Sequence, residues 1–409
     1  MSNSPTTQTH IAEAERFGAR NYKPLPVVIE RGEGAWVWDV EGNRYLDMLA
    51  AYSALNQGHR HPRIVEAARA QLDTLTLTSR AFHNDQMGPF LGELCRAAGM
   101  DKALPMNTGA EAVETAIKMV RRWGYRVRGV PEDEAEILVC DGNFAGRTTT
   151  IVSFSSDPTC RRGFGPLTPG FRSVPYGDAG ALRAAIGENT VGFLVEPIQG
   201  EGGVVVPPEG YLREVRSICD ERGIALITDE IQTGLGRTGR LFCFDWDGIR
   251  PDVLTVGKAL GGGVYPVSAA LARAELMDVF EPGSHGSTFG GNPLGAAVAR
   301  AALGVIVDDD LPARADELGS WLMDELRAID SPHVAQVRGR GLMIGVVIRD
   351  EAGPARPFCE ELMRRGVLAK ETQAQVIRLA PPLTIERDEL RFALDALAPV
   401  LRGEGVATG

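Results

Sequence analysis

The sequence predicts an α/β protein built on a mainly parallel, buried sheet, with a smaller α/β unit towards the C-terminal end. Three observations carry this. Between about residues 60 and 300, short apolar runs alternate with stretches of helical periodicity. The runs are nearly continuous in apolar character rather than alternating, as expected of strands covered on both faces. From Leu311 the pattern changes to helix, strand, helix, strand, helix.

The elements follow in order. Residues 27–48 alternate like a small sheet, with turn signals at Gly34 and at Glu41-Gly42. Gly58-His59-Arg60-His61-Pro62 reads as a turn, with Pro62 opening the next helix. His59 and His61 resemble a metal pair, but nothing nearby supplies the remaining ligands, and no metal is expected. The strand candidates of the larger unit are Ile137–Cys140, Val191–Val195, Ile224–Thr228, Val253–Val256 and Val267–Ala272. Ala112–Arg122, Leu212–Arg222 and Pro293–Val307 carry helical periodicity. In the last helix Leu390, Leu394, Leu397 and Leu401 share one face. The expected organisation is an N-terminal segment over 1–52, a large domain over 53–297 and a small domain over 298–409. No internal repeat or long linker separates them, so tight packing is expected. Gly403–Gly409 reads as a frayed tail.

Composition narrows the function. The 409 residues carry 43 Lys+Arg against 54 Asp+Glu, a formal charge of −11, which argues against a nucleic-acid binder. Apolar residues at 44% and charged residues at 24% are ordinary globular usage. No apolar run approaches the ~18 residues a membrane span requires. The six cysteines show no CxxC, and the first 26 residues lack a secretion-type apolar stretch. A reducing, cytoplasmic setting is the expectation.

Three stretches could carry chemistry. In Met106–Glu114, Thr108 and Glu111 have capping-box spacing, and Gly109 lets the helix start approach an anion. Taken alone, this is equally a well-capped helix. In Thr255-Val-Gly-Lys258-Ala-Leu-Gly-Gly-Gly263 a strand ends beside a lysine. That places Lys258 at the carboxyl edge of the sheet, where open α/β folds bind ligands. A lone lysine is usually a solvated charge, but a desolvated one becomes a Schiff-base nucleophile. Asp229 follows the apolar run Ile224–Thr228 and either caps the next helix or needs a cationic partner. Glu196 ends the preceding strand in the same way, so Glu196, Asp229 and Lys258 converge on one cleft.

These residues carry a resemblance. The strand leading to Asp229-Glu-Ile-Gln232, then Gly257-Lys258-Ala-Leu, then Gly286-Ser287-Thr288-Phe-Gly-Gly-Asn-Pro293, resembles the class III aminotransferases. These are fold-type I enzymes that use pyridoxal 5′-phosphate (PLP). The likeness runs from about residue 20 to about 400. Within the class, Asn21–Pro26, Ala51–Gly58, Leu75–Phe82, Gly142–Arg147 and Val376–Pro382 are most similar to the ornithine aminotransferase branch.

The resemblance implies that Lys258 holds PLP and shuttles a proton, while Asp229 pairs with the pyridine nitrogen. Phe144 is implied as the ring-stacking residue and Gln232 as a donor to the 3′-oxygen. Thr108, Gly109 and Ala110 are implied at the phosphate. Ser287 and Thr288 are also implied in cofactor binding, with Thr288 reaching across from a neighbouring subunit. A homodimer with shared active sites, or a higher oligomer, follows. For substrate, the resemblance implies Arg147 as the distal carboxylate anchor and Tyr22 as the partner of ornithine's α-ammonium. Tyr52 lines the same pocket. Arg378 is implied as the anchor for glutamate's α-carboxylate, and Glu201 as the switch that covers Arg378 when ornithine binds. The implied reaction is δ-transamination of L-ornithine with 2-oxoglutarate or another 2-oxo acid. Another ω-aminotransferase, for acetylornithine, 4-aminobutyrate or a diamine, is the alternative. A non-catalytic metabolite-binding protein of the same fold is a more distant one. Ala145, Gly202 and Phe289 stand where animal members carry Trp, Ala and Tyr, which bears on substrate tuning around Phe144 and Arg147.

Overall fold

The computed structural model describes residues 6–407. Its centre is a seven-stranded sheet. In chain order the strands are β1 (Lys102–Met106), β2 (Glu136–Cys140), β3 (Phe171–Val174), β4 (Thr190–Val195), β5 (Ala225–Asp229), β6 (Val253–Val256) and β7 (Ser268–Ala272). They lie side by side as β1-β7-β6-β5-β4-β2-β3. The five strands from β3 to β6 are mutually parallel, whereas β7 runs antiparallel to both β6 and β1.

The expected apolar runs match β2, β4, β5, β6 and β7 to within a residue or two. Every residue of β4, β5, β6 and β7 is buried, because helices cover both faces of the sheet. The helix Gly109–Arg126 presses Val113, Ile117 and Val120 against one face, in a cluster that includes Ile137, Val139 and Ile227. The helices Tyr211–Arg222 and Pro293–Asp308 share the opposite, larger core with Phe193, Leu226 and Leu254.

The N-terminal strands do not stand apart. Ile29–Glu33, Trp36–Asp39 and Arg44–Asp47 form a small sheet that Val367–Leu368 completes in parallel, with Val367 opposite Leu46 and Leu368 opposite Asp47. A second four-stranded antiparallel sheet holds Val334–Arg340, Met343–Ile348, Val376–Leu379 and Lys370–Thr372. The end of the chain is more ordered than its composition suggests. Gly403–Val406 turns back, with Glu404 N–H donating to Pro399 O (3.0 Å) and Val406 packed on the core. Thr408 and Gly409, the rest of the expected tail, lie outside the described residues.

Arg237 joins the parts. Its side chain is fully buried, and it donates to Leu342 O (2.9 Å), Pro381 O (2.6 Å) and Asn56 Oδ1 (2.6 Å). Burial pulls its guanidinium down to about 9, with Asp47's charge opposing. Three acceptors from distant segments thus share one cation that, among the described residues, has no direct carboxylate partner. Arg237→Met should lower stability by about 3 kcal/mol, because it strands those acceptors in the core. Urea unfolding of the variant and the parent measures the difference.

Candidate active site

The carboxyl ends of β4, β5 and β6 deliver Glu196, Asp229 and Lys258 to one cavity of about 200 Å³. Gly109 and Ala110, Phe144, Glu201 and Gln232 complete its wall.

At one end is the start of the helix Gly109–Arg126. Thr108 caps it, with Oγ1 accepting from Glu111 N–H (3.2 Å), while Glu111 Oε2 accepts from Thr108 N–H (2.7 Å). The first N–H groups of a helix have no partner within it, so Gly109 and Ala110 offer donors where the dipole favours an anion. A Cβ at position 109 would sit 3.0 Å from the Ile231 side chain, a contact tight enough that Ile231 would have to give way.

Opposite lies Asp229. It is buried, and its Oδ1 accepts from Ile231 N–H (3.0 Å) and Thr255 Oγ1–H (3.1 Å). Burial raises its pKa, against those hydrogen bonds and the charge of Lys258. Glu196 accepts from the Phe144 N–H (2.9 Å), and burial next to Asp229 pushes it up to about 8. A buried carboxyl and a partly buried one therefore lie together, and an incoming cationic group would stabilise the ionised form of both. Lys258 is half-buried. Desolvation lowers its pKa, opposed chiefly by Glu201 and Asp229. Its backbone has φ of +45°, a left-handed geometry unusual for lysine.

PLP fits this set. The helix start suits its phosphate, the buried carboxylate suits a protonated ring nitrogen, the Phe144 ring suits a stacked face, and the lysine suits its aldehyde. Gln232 Oε1 is buried without a partner, and Nε2 faces Glu201 Oε1 at 3.4 Å.

A larger cavity of about 770 Å³ opens from the same lysine and reaches Tyr22, Tyr52, Arg147, Glu201 and Arg378. The two arginines differ. Arg378 is 2% exposed, and its Nη1 donates to Glu201 Oε1 at 2.5 Å. Burial alone would raise Glu201, but the adjacent Arg378 outweighs it and lowers the carboxyl below its usual range. The Arg378 guanidinium also lies over the Tyr52 ring at 4.6 Å. Arg147 is exposed, with its guanidinium 5.4 Å from the Tyr22 ring and 5.9 Å from that of Phe144. Among the described residues no carboxylate forms an ion pair with Arg147.

The expected residues do not all meet on one wall. Thr108 faces a neighbouring cavity beside Lys258. Ser287 Oγ accepts from Asn107 Nδ2–H (2.9 Å) and Gly290 N–H (3.1 Å), and Thr288 is exposed. Neither lines the cavity of its own chain.

Two features of the site were not singled out from sequence. The strand end places Glu196 in the cleft, but nothing in the sequence shows that it holds the Phe144 backbone. Tyr52 sits in a turn of four consecutive non-glycine residues with positive φ, Ala50–Ser53. Each such residue costs roughly 1–2 kcal/mol, and an Ala-Ala-Tyr-Ser stretch gives no hint of it. His59 pairs with Asp47 (2.8 Å) rather than with a metal, and no group of metal-ligating residues occurs among the described residues. No described helix is long and apolar enough to cross a membrane.

Comparison with known proteins agrees with this geometry. The family profile described as "Aminotransferase class-III" matches residues 17–401. Ornithine aminotransferase of Brevibacillus brevis is 56% identical over 395 residues, covering 97% of this chain and 98% of that protein. A solved ornithine aminotransferase of Toxoplasma gondii, with PLP at partial occupancy in its active site, superposes with a TM-score of 0.97. It is 45% identical and covers 98% of this chain and 95% of that one. An acetylornithine aminotransferase of Elizabethkingia anophelis gives a TM-score of 0.89 at 44% identity, over 97% of this chain and 99% of that one. Backbone likeness thus fixes the chemistry class but spans two substrates, while 56% identity over nearly the full length weighs towards the first. This chain belongs to the class III aminotransferase family, within its ornithine aminotransferase branch.

Proposed function

We propose that the protein is a PLP-dependent ornithine aminotransferase. It moves the δ-amino group of L-ornithine to 2-oxoglutarate or another 2-oxo acid, giving L-glutamate 5-semialdehyde and L-glutamate. The observation that carries this reading is the asymmetry of the two arginines. Arg378 is closed by Glu201, whereas Arg147 is open beside Tyr22.

The bound cofactor supplies an electron sink for the carbanion that forms when the substrate carbon next to nitrogen loses its proton. The chain supplies everything else. Lys258 would hold the cofactor through its ε-amine, and as a free amine it would carry the proton from the substrate carbon. Asp229 keeps the ring nitrogen protonated. Gly109 and Ala110 N–H groups hold the phosphate, Phe144 covers the ring, and Gln232 orients it. Arg147 binds ornithine's α-carboxylate as a bidentate fork, and Tyr22 meets its α-ammonium. This leaves the δ-amine pointing at Lys258. Glutamate must present its α-amine instead. Its α-carboxylate then takes Arg378, and Glu201 has to leave.

A homodimer completes the site in this reading. The helix Thr7–Phe17 buries none of its residues in its own chain, and Phe17, Phe82 and Phe289 are 75%, 72% and 46% exposed. Together with the exposed Thr288, these uncovered apolar groups support a partner subunit bringing Ser287 and Thr288 to the phosphate. Light scattering should return twice the 44.0 kDa chain mass or a multiple of it.

The decisive experiment is a single-turnover spectrum of the PLP-loaded protein with L-ornithine, N-acetylornithine or 4-aminobutyrate, each without an oxo acid. Ornithine should bleach the yellow chromophore fastest. A faster reaction with N-acetylornithine would move the substrate assignment to that alternative and leave the lysine chemistry intact. For the switch, Glu201→Ala should raise the kcat/KM of glutamate relative to ornithine by about tenfold, as one charge-assisted contact of roughly 1.5 kcal/mol is removed. An unchanged ratio removes Glu201 from the account.

A further inference from the structure

The left-handed turn beneath Tyr52 has an evident support. φ is 47°, 47°, 61° and 71° at Ala50, Ala51, Tyr52 and Ser53. L-residues avoid this region, and such strain persists only where surrounding contacts over-determine it. Asp47, buried at the end of Arg44–Asp47, provides them. Its Oδ1 accepts from the N–H groups of Leu49 and Ala50, both at 2.9 Å. Its Oδ2 accepts from His59 Nε2 at 2.8 Å.

His59 is itself fixed. Its backbone pairs with Gly34, and a Cβ on Gly32 would lie 2.7 Å from Nδ1, so the ring packs directly on that strand. Beyond the turn, Gln57 Nε2 donates to Ala259 O (2.9 Å), tying the same loop to the residue after Lys258. The visible consequence of the strained turn is the placement of Tyr52, whose ring lies against the Arg378 guanidinium, 4.6 Å from its Cζ to the ring centre. A ring packed on the guanidinium limits the positions it can take, and a guanidinium held in place can receive a carboxylate bidentately.

We infer that Asp47 and His59 are positioning residues for substrate choice: they hold the left-handed turn Ala50–Ser53 so that Tyr52 orients Arg378 for an α-carboxylate. The inference rests on the reading of Arg378 as glutamate's anchor. Neither Asp47 nor His59 needs to touch glutamate for this. Asp47 acts through the two backbone N–H groups, and His59 acts by holding Asp47.

The test uses the PLP-loaded enzyme and steady-state kinetics with glutamate and with ornithine. Asp47→Ala should raise the KM for glutamate about tenfold, with kcat changed less than threefold and the cofactor absorbance unchanged. Asp47→Asn keeps an acceptor for the Leu49 and Ala50 N–H groups and should restore most of the KM. A purely structural role would not give this split, nor its rescue by the amide. His59→Leu removes only the outer hydrogen bond and should shift the glutamate KM in the same direction by about threefold. It also serves if Asp47→Ala does not fold. In the parent enzyme, amide exchange at Leu49 and Ala50 should be slow; fast exchange at both would overturn the supported turn. A folded Asp47→Ala or His59→Leu with unchanged glutamate KM overturns the inference too. Arg378→Met separates the two levels. If it leaves the glutamate KM unchanged, the anchor reading itself fails. If it raises that KM while Asp47→Ala does not, only the positioning role fails.

Discussion

Lys258→Ala should leave the fold intact and reduce turnover by roughly 10²–10⁴-fold, the range expected when a positioned general acid–base group is lost. Deleting a side chain at the lip of three cavities opens space rather than creating a clash, so folding is not at risk. Lys258→Arg discriminates further. It restores length and charge, but a guanidinium stays protonated in proteins and cannot carry a proton away from carbon. Native Lys258 is suited to the task because burial lowers its pKa and favours the free amine. Both variants should therefore be comparably slow in single-turnover assays with ornithine. A Lys258→Arg enzyme within tenfold of the parent would mean that another group moves the proton.

Much of this site was legible in the sequence because its parts sit at strand ends. Apolar runs marked β4, β5 and β6, and the next polar residue in each case entered the cavity. The runs could not show that β7 is antiparallel, since direction depends on the connection and not on burial. β1 was missed for a different reason. Lys-Ala-Leu-Pro-Met contains a charge and a proline, and it reads as a loop until β7 pairs with it at the sheet edge. The Arg378–Glu201 pair spans 177 residues, so no local pattern could have found it, and only the family likeness proposed it. Asp47 and His59 are 12 residues apart. The histidine drew attention as half of a metal pair, while its actual partner looked like an ordinary strand-end carboxylate. The turn they hold is least legible of all. Alanine is the best right-handed helix former, and it takes the Asp47 carboxylate, itself held by His59, to keep Ala50 and Ala51 left-handed.

Asp229→Asn should lower turnover by about 10²–10³-fold, comparable to removing one preorganised electrostatic partner of a reaction centre. The substitution is nearly isosteric. The side-chain oxygen can still accept from Ile231 N–H and Thr255 Oγ1–H, so packing and the β5 end should survive. What disappears is the negative charge that, in the proposed function, would keep the cofactor's ring nitrogen protonated. Because Asp229 is buried, that charge acts with little solvent screening. Its removal also changes Glu196, whose pKa is raised first by burial and next by the charge of Asp229. With Asp229 neutral, Glu196 should ionise at lower pH, in part replacing the missing charge. The variant should therefore recover activity as pH rises, on a curve set by Glu196, whereas Asp229→Asn combined with Glu196→Gln should be slow at every pH. Single-turnover rates with ornithine between pH 6 and 9 decide it. A double variant no slower than Asp229→Asn alone would show that Glu196 offers no such support.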